Sequence, residues 1–342
     1  MARRLGWDVG GAHLKAALFD GGRIVGVWQQ PSPLWQGLGH LDTALDAILA
    51  LAGDVPEHRL TMTGELADIF DSRADGVARL AARLAERLGP TLRIYAGPAG
   101  FVGAEAAARH FAMVGSANWH ASAALAAQAL PEAVLVDMGS TTTDIVPVGG
   151  GQVRNHGYTD SERMAAGELV YQGFTRTSLM AVANRVPFDG RTVPLMAEHF
   201  ATMADAQRLA GQLDEGDDQM PTADGRGKTP AASRARLARM LGLDAQDADD
   251  AQWRGVAQAF VEAQLRHLHD AALQVLSRQP VGPDAPLVLA GIGRPLLARL
   301  ADRLGRGIVD FGDLTEVPSP LRAAASRAAP AVALAALDQP PA

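Results

Sequence analysis

The sequence predicts an α/β protein made of two related halves that face each other across a cleft, and two observations carry that prediction. The first is a strand-turn-strand meander at the start of the chain. Apolar residues 5–7 lead into Asp8-Val9-Gly10-Gly11, a second run covers 14–19, Asp20-Gly21-Gly22 turns it back, and a third run covers 23–28. The second observation is that this pattern returns. Residues 134–136 lead into Asp137-Met138-Gly139-Ser140, then come 143–148, the turn Gly149-Gly150-Gly151 and a short run at 152–154. Two meanders about 130 residues apart, with matching aspartates, glycine turns and apolar runs, imply a duplication. Each is followed by helical and strand patterns, as α/β halves require.

The remaining elements follow in order. Helical periodicity covers 41–52 and 75–88, with short strands at 60–63 and 92–96. Residues 106–130 read as mostly helical with a break around 115–119. From 160 to 250 the pattern is irregular and polar, with loops at Gly216-Asp217-Asp218 and at 222–228, and is expected to be a mainly helical insertion. A long amphipathic helix at 253–278, a strand at 286–290 ending in Gly291-Ile292-Gly293, and a helix at 295–304 come next. The last helix, 320–337, is expected to cross back to the first half. The first half is therefore 1–130 with 318–342, and the second is 131–317.

Composition narrows the function. A chain of 342 residues can hold two cores with a site between them. With 48% hydrophobic and 20% charged residues it has the balance of a globular protein. A net charge of -7 argues against nucleic acid or an anionic membrane surface as partner, since both need a basic face. There is no cysteine, so disulfides, thiolate metal sites and thiol nucleophiles are excluded. The two early arginines are not followed by an apolar secretory core, and no stretch of about 20 residues is apolar enough to span a bilayer. The expected partners are small molecules, the expected location is the cytoplasm, and a homo-oligomer is compatible with the chain.

The chemistry follows from the two turns. A phosphate needs backbone N–H donors that approach closely, and glycine turns supply them because no Cβ intervenes. Gly10, Gly11 and the run Gly139, Ser140, Thr141, Thr142, Thr143 are such turns. Asp8 and Asp137, each at the end of a strand, can hold a hydrated Mg2+ or another divalent cation through one carboxylate each. Lys15 can reach the same phosphate as a point charge, and Asp144 can serve as a base or support the metal site. A single Asp-x-Gly-Gly merely closes a hairpin; the duplicate with its lysine and threonines turns the reading toward phosphate. Glu65, in Thr63-Gly64-Glu65 after a short strand, can act as a general base or cap the next helix. Asn118, Trp119 and His120 place an amide, an aromatic surface and an imidazole at a helix break, with a buried structural role the slightly preferred reading of Trp119. Arg176, Arg185, Lys228 and Arg234 can clamp an anion or simply be solvated, and Gly291 and Gly293 allow close approach of a ligand or make a plain strand-to-helix turn. His267 and His269 point to different faces of one helix and are read as surface residues.

Together, Asp8-Val9-Gly10-Gly11 with Lys15, the run from Asp137 to Asp144, and Gly291-Ile292-Gly293 resemble the phosphate and adenosine motifs of the actin, sugar kinase and Hsp70 superfamily, whose halves are RNase H-like. Within it the chain resembles the hydantoinase/oxoprolinase group. More narrowly, Thr63-Gly64-Glu65-Leu66-Ala67-Asp68, Ser116-Ala117-Asn118-Trp119, the stretch from Tyr171 to Thr177, and Thr222-Ala223-Asp224-Gly225-Arg226 with Lys228-Thr229 resemble proteins linked to tetrahydromethanopterin-dependent one-carbon transfer. That resemblance implies a synthase of methanofuran assembly. Such an enzyme joins an aminomethylfuran diphosphate to the phenol of a tyramine- or tyrosine-type acceptor, with loss of diphosphate. Bacterial relatives serve formaldehyde oxidation in methylotrophs. It implies that Asp8, Lys15, Asp137 and the threonine run hold Mg2+ and diphosphate, and that Glu65 or Asp144 deprotonates the phenol. The chain is much shorter than a large oxoprolinase and lacks cysteine, which fits a synthase better than ring hydrolysis. Two alternatives remain: an ATP-using kinase or hydrolase, and a noncatalytic nucleotide-regulated assembly protein.

Overall fold

The computed structural model describes residues 3–338; residues 1–2 and 339–342, assigned above to the first half, lie outside it. The first meander forms as β1 (Arg4–Val9), β2 (His13–Asp20) and β3 (Arg23–Pro31). It is followed by α1 (Gly39–Ala52), β4 (Glu57–Met62), α2 (Arg73–Leu88), β5 (Leu92–Tyr95) and β6 (Phe101–Val102). Three helices end this half: α3 (Ala104–Arg109), α4 (Phe111–Val114) and α5 (Asn118–Ala129). The sheet order is β3-β2-β1-β4-β5-β6. β1 runs antiparallel to β2 and parallel to β4, so the meander lies on one side of β1 and the crossover strands on the other.

The second half repeats this topology. β7 (Glu132–Met138) and β8 (Thr143–Gly149) are antiparallel, and β13 (Leu287–Gly291) and β14 (Ile308–Asp310) continue in parallel from β7. The duplication therefore extends from the motifs to the strand order. The third strand of the second meander differs, because it is split into β9 (Gln152–Val153) and β10 (Leu169–Val170) on the same edge of β8. The chain between them forms α6 (Asp160–Ala166), started by a capping box of Thr159 and Glu162. That detour brings α6 beside the β7–β8 turn.

Between β10 and the long helix lie β11 (Arg185–Phe188), β12 (Arg191–Pro194), α7 (Met203–Leu209) and α8 (Pro230–Met240). The segment thus carries two short helices and one hairpin, and most of it is loop. Asp189 and Gly190 turn that hairpin with φ of 49° and 68°, the left-handed pair a two-residue turn requires. A buried ionic network welds its loops. Arg236, with no exposed surface, holds Asp205 at 2.7 Å and Asp224 at 3.1 Å, and Arg208 holds Asp218 at 2.7 Å. The long helix α9 is Asp250–Leu276, starting three residues before its predicted beginning because Asp249 and Gln252 form a capping box. α10 is Arg294–Leu304.

The expected last helix is two, α11 (Arg322–Arg327) and α12 (Ala329–Ala336), broken at Ala328 with Pro330 in the first turn of α12. α12 packs on β1 and α5, in an alanine-rich core shared by the two sheets. The contact is close enough that a Cβ on Gly6 would fall on the Ala331 carbonyl. Arg59 and Arg4 donate to the Leu337 carbonyl at 2.5 and 3.2 Å, placing two cations at the negative end of α12. Among the described residues no helix is long and apolar enough to cross a membrane.

Candidate active site

The two glycine turns face one cavity of about 460 Å³ between the halves. The β1–β2 turn is closed by Gly10 N–H donating to the His13 carbonyl at 3.0 Å, and the β7–β8 turn by Gly139 N–H donating to the Thr142 carbonyl at 3.0 Å. The second turn is also clamped from outside. Phe174 and Arg176 donate backbone N–H groups to the carbonyls of Gly139 and Ser140, both at 2.9 Å. A Cβ on Gly173 would fall on the Ser140–Thr141 backbone, so this clamp needs glycine there. Arg176 then donates from Nη1 to the Thr141 hydroxyl at 3.2 Å.

Strand register decides which charges meet. Asp8 is paired with Lys15 across β1–β2, and Asp137 with Asp144 across β7–β8. Asp8 is buried, its Oδ1 has no hydrogen-bond partner, and burial raises its pKa against the attraction of Lys15. Asp137 is pushed up to about 7, mainly by burial and then by Asp144, with Lys15 pulling it down and Asp8 pushing it further up. The carboxylates of both halves thus share one field, with Lys15 as the cation they have in common. An orphaned buried carboxylate oxygen suits a cation. Among the described residues no three acidic or histidine side chains converge on a metal position. A cation held by Asp8 and Asp137 would take its other ligands from phosphate oxygens and water, which is the habit of Mg2+.

Most of the sequence-selected residues meet at this cavity: Asp8, Gly10, Gly11, Lys15, Asn118, Trp119, Gly139, Ser140, Thr141, Thr142, Asp144 and Arg176 all line it. Others do not. Thr143 is buried and donates its hydroxyl to the Gln172 carbonyl at 2.7 Å, so the hydroxyl run available to a ligand ends at Thr142. Lys228 is bound to the Asp218 carbonyl and lies in the ionic network of the insertion rather than on the cavity wall. Gly291 and Gly293 are packing glycines. A Cβ on Gly291 would meet Asp137 Oδ1 at 2.6 Å, and one on Gly293 would meet Met138 Cβ at 2.7 Å. Asp137, at the end of β7, is half-buried and is not among the residues lining the cavity. Glu65 has no exposed surface and sits beneath the wall formed by Thr63, Leu66 and Ala67.

Asp144 is not a free base, because Arg163 Nη2 donates to its Oδ1 at 2.8 Å. Arg163, 1% exposed, also donates to the Glu168 carbonyl and stacks 3.9 Å over the Trp119 ring. Trp119 is therefore both a core residue and the cavity-side support of a buried cation. His13, Ser116, Asp160 and Arg163 also line the cavity without having been singled out as site residues. His13 had a local signal, since two residues before Lys15 on one strand it shares that face, and Ser116 had one in the motif Ser116-Ala117-Asn118-Trp119. Its pKa is lowered to about 4 by burial, Lys15 and Arg176, so it is neutral at pH 7. Apolar and aromatic side chains also line the cavity: Trp35, Leu66, Ala67, Leu169 and Tyr171.

Duplicated halves with facing glycine turns place the fold in the actin-like class. Among solved structures the fold matches the nucleotide-free structure of acetone carboxylase, from work on ATP-dependent acetone carboxylation. The TM-score is 0.60 at 12% identity, over 98% of this chain and 70% of that one. Within this class the chain belongs to the hydantoinase/oxoprolinase family, which it matches over residues 57–337. It is 28% identical over 299 residues to the (4-{4-[2-(gamma-L-glutamylamino)ethyl]phenoxymethyl}furan-2-yl)methanamine synthase of Methanocaldococcus jannaschii, covering 87% of this chain and 88% of that protein. The synthase of the same name from Methanococcus vannielii is 35% identical over 111 residues, 32% of this chain and 50% of that protein.

Proposed function

We propose that this chain is an enzyme of the same kind as those synthases: it forms the aryl ether of a methanofuran-type one-carbon carrier. An aminomethylfuran diphosphate would react with the phenol of a tyramine- or tyrosine-type acceptor. The bond between the furyl CH2 and the diphosphate oxygen breaks, the CH2–O(aryl) bond forms, and the phenol proton passes to the protein. The observation that carries this reading is a single cavity that combines facing glycine turns and Lys15 with apolar and aromatic lining from Trp35, Leu66, Trp119 and Tyr171. A diphosphate suits the first set of groups and two rings suit the second.

On this reading the N–H group of Gly11, the hydroxyls of Ser140 to Thr142, and Lys15 hold the leaving diphosphate, while the N–H groups of Gly10 and Gly139 close their turns. Arg176 braces the second turn through Thr141. Asp8 and Asp137 would hold a divalent cation, most simply Mg2+, which neutralises charge as it builds on the leaving group. The halves divide at about 130, with 318–338 returning to the first, so the site lies between them. Work in the cytoplasm, where one-carbon carriers are made and used, is part of the proposal.

ATP is the competing ligand. Gly291 and Gly293 are filled by Met138 and Asp137 and lie off the cavity wall, which favours diphosphate over a nucleoside triphosphate. Calorimetric titration with Mg-diphosphate and with Mg-ATP tests the choice, followed by mass detection of the aryl ether from the furan diphosphate and tyramine. Diphosphate binding and ether formation are expected; a clear preference for ATP with no ether would replace the synthase with a kinase or hydrolase.

A further inference from the structure

Glu65 is a carboxyl the proposed chemistry wants as a base, yet it cannot touch a substrate. It has no exposed surface, and the wall of the cavity passes over it. Ser116 is the residue that connects it to the cavity. Ser116 lines the cavity, and its hydroxyl donates to Glu65 Oε1 at 2.8 Å. The other oxygen, Oε2, is buried with no partner.

The surrounding chain is shaped to keep this pair. Ser116 has φ of 54°, a left-handed conformation that a residue with a Cβ rarely adopts. It is held there by its N–H donating to the Met62 carbonyl at 3.1 Å, beside the bridge between Met62 and Gly115. A Cβ on Gly115 would lie 3.0 Å from Glu65 Oε1, and one on Gly76 would press on the Glu65 backbone. Two glycines and a strained serine thus make room for a buried carboxyl and aim one hydroxyl from it into the cavity. A purely structural wall would be more stable with an apolar residue at 65 and glycine at 116.

We propose, resting on the synthase reading, that Ser116 is the catalytic residue that contacts the acceptor phenol and that Glu65 receives the phenol proton through it. In one step the phenol O–H proton moves to Ser116 Oγ while the serine proton moves to Glu65 Oε1. The phenol oxygen bonds to the furyl CH2, and the C–O electron pair leaves with the diphosphate. Glu65 ends as a neutral acid and returns its proton to solvent by the same hydroxyl.

The charges around Glu65 suit that exchange. Arg73 Nε lies 3.7 Å from Oε1, but Arg73 also binds Asp160, which faces the cavity. Burial raises the Glu65 pKa to about 7, against the Ser116 hydrogen bond and Arg73, with Asp160 adding to the rise. A base of that strength is matched to a phenol at neutral pH.

The test uses the full-length protein with furan diphosphate and two acceptors, tyramine and a ring-fluorinated tyramine of lower phenol pKa. S116A and S116G should each lose about 100-fold or more in kcat with tyramine, the size of a lost general base, and much less with the fluorinated acceptor. S116G removes the hydroxyl while relieving the left-handed strain, so a folding defect in S116A does not decide the matter. E65Q should show the same acceptor dependence and lose the rise of rate between about pH 6 and 8 expected of the wild type. Mg-diphosphate affinity should be unchanged in all three. Wild-type kcat in S116G, or an equal loss with both acceptors, overturns the relay and leaves the synthase reading standing. Failure of the wild type to form any ether overturns both.

Discussion

Replacing Arg163 with methionine should expose how much the cavity depends on one buried cation. Arg163 is 1% exposed, binds Asp144 at 2.8 Å and stacks on Trp119 at 3.9 Å. Methionine keeps much of the volume but leaves the Asp144 carboxylate buried without its cation. Breaking such a pair from one side costs about 3–5 kcal/mol, and the lost stack on Trp119 is part of the same loss, so about 4 kcal/mol is expected. That is a large share of the roughly 5–15 kcal/mol that holds a domain folded. The loss should depend on pH. Burial already raises the Asp144 pKa against Arg163, and removing Arg163 raises it further. A folded state that holds a proton more tightly than the unfolded chain is favoured below the unfolded pKa, and that advantage disappears as pH rises through the folded value. R163M should therefore approach wild type in mild acid and be worst at pH 7 and above. Urea unfolding at pH 5.5 and 7.5, followed by tryptophan fluorescence and far-UV circular dichroism, measures it. The double variant D144N/R163M should recover most of the loss. A loss below about 1 kcal/mol at pH 7.5, or a double variant as unstable as the summed singles, would refute the reasoning.

Three further outcomes are expected. K15M should weaken Mg-diphosphate binding by about 30- to 100-fold in calorimetry, since a cation about 4 Å from an anion is worth up to about 4 kcal/mol near a protein surface; a change under threefold would place Lys15 away from the ligand. G291A should lose about 2 kcal/mol or more, because φ of 81° disfavours alanine and its Cβ would meet Asp137 and Met138; an unchanged melting temperature would contradict the packing role. R236L should open the loop at 214–229 to limited proteolysis, because Arg236 ties Asp205, Asp224 and the Gly227 carbonyl together; equal protease resistance would show that the network is not what holds the loop.

Local order was readable where the chain itself encodes it. The hairpin at Asp189-Gly190 also had its signal in plain sight, a two-residue turn of the left-handed kind, although the segment around it reads as irregular. The break between α11 and α12 was harder, since an alanine-rich run continues across Ala328 and only the position of Pro330 hints at it. Lys228 looked free because its neighbours in sequence are small or uncharged, whereas its partner Asp218 is ten residues away across a loop.

By itself the sequence determined the duplicated meanders, the aspartate at each strand end, the glycine turns and the alternation that puts Asp8, Lys15 and the first turn together. These depend on backbone freedom, strand period and neighbours a few residues apart, all written locally. Only the tertiary structure decided which charges are available for chemistry. Asp144 is tied to an arginine carried in by the split third strand, Glu65 lies under the wall, and Ser116, 51 residues away, is its outlet. Burial and long-range partners set the protonation and reach of those groups, and neither can be read from spacing along the chain.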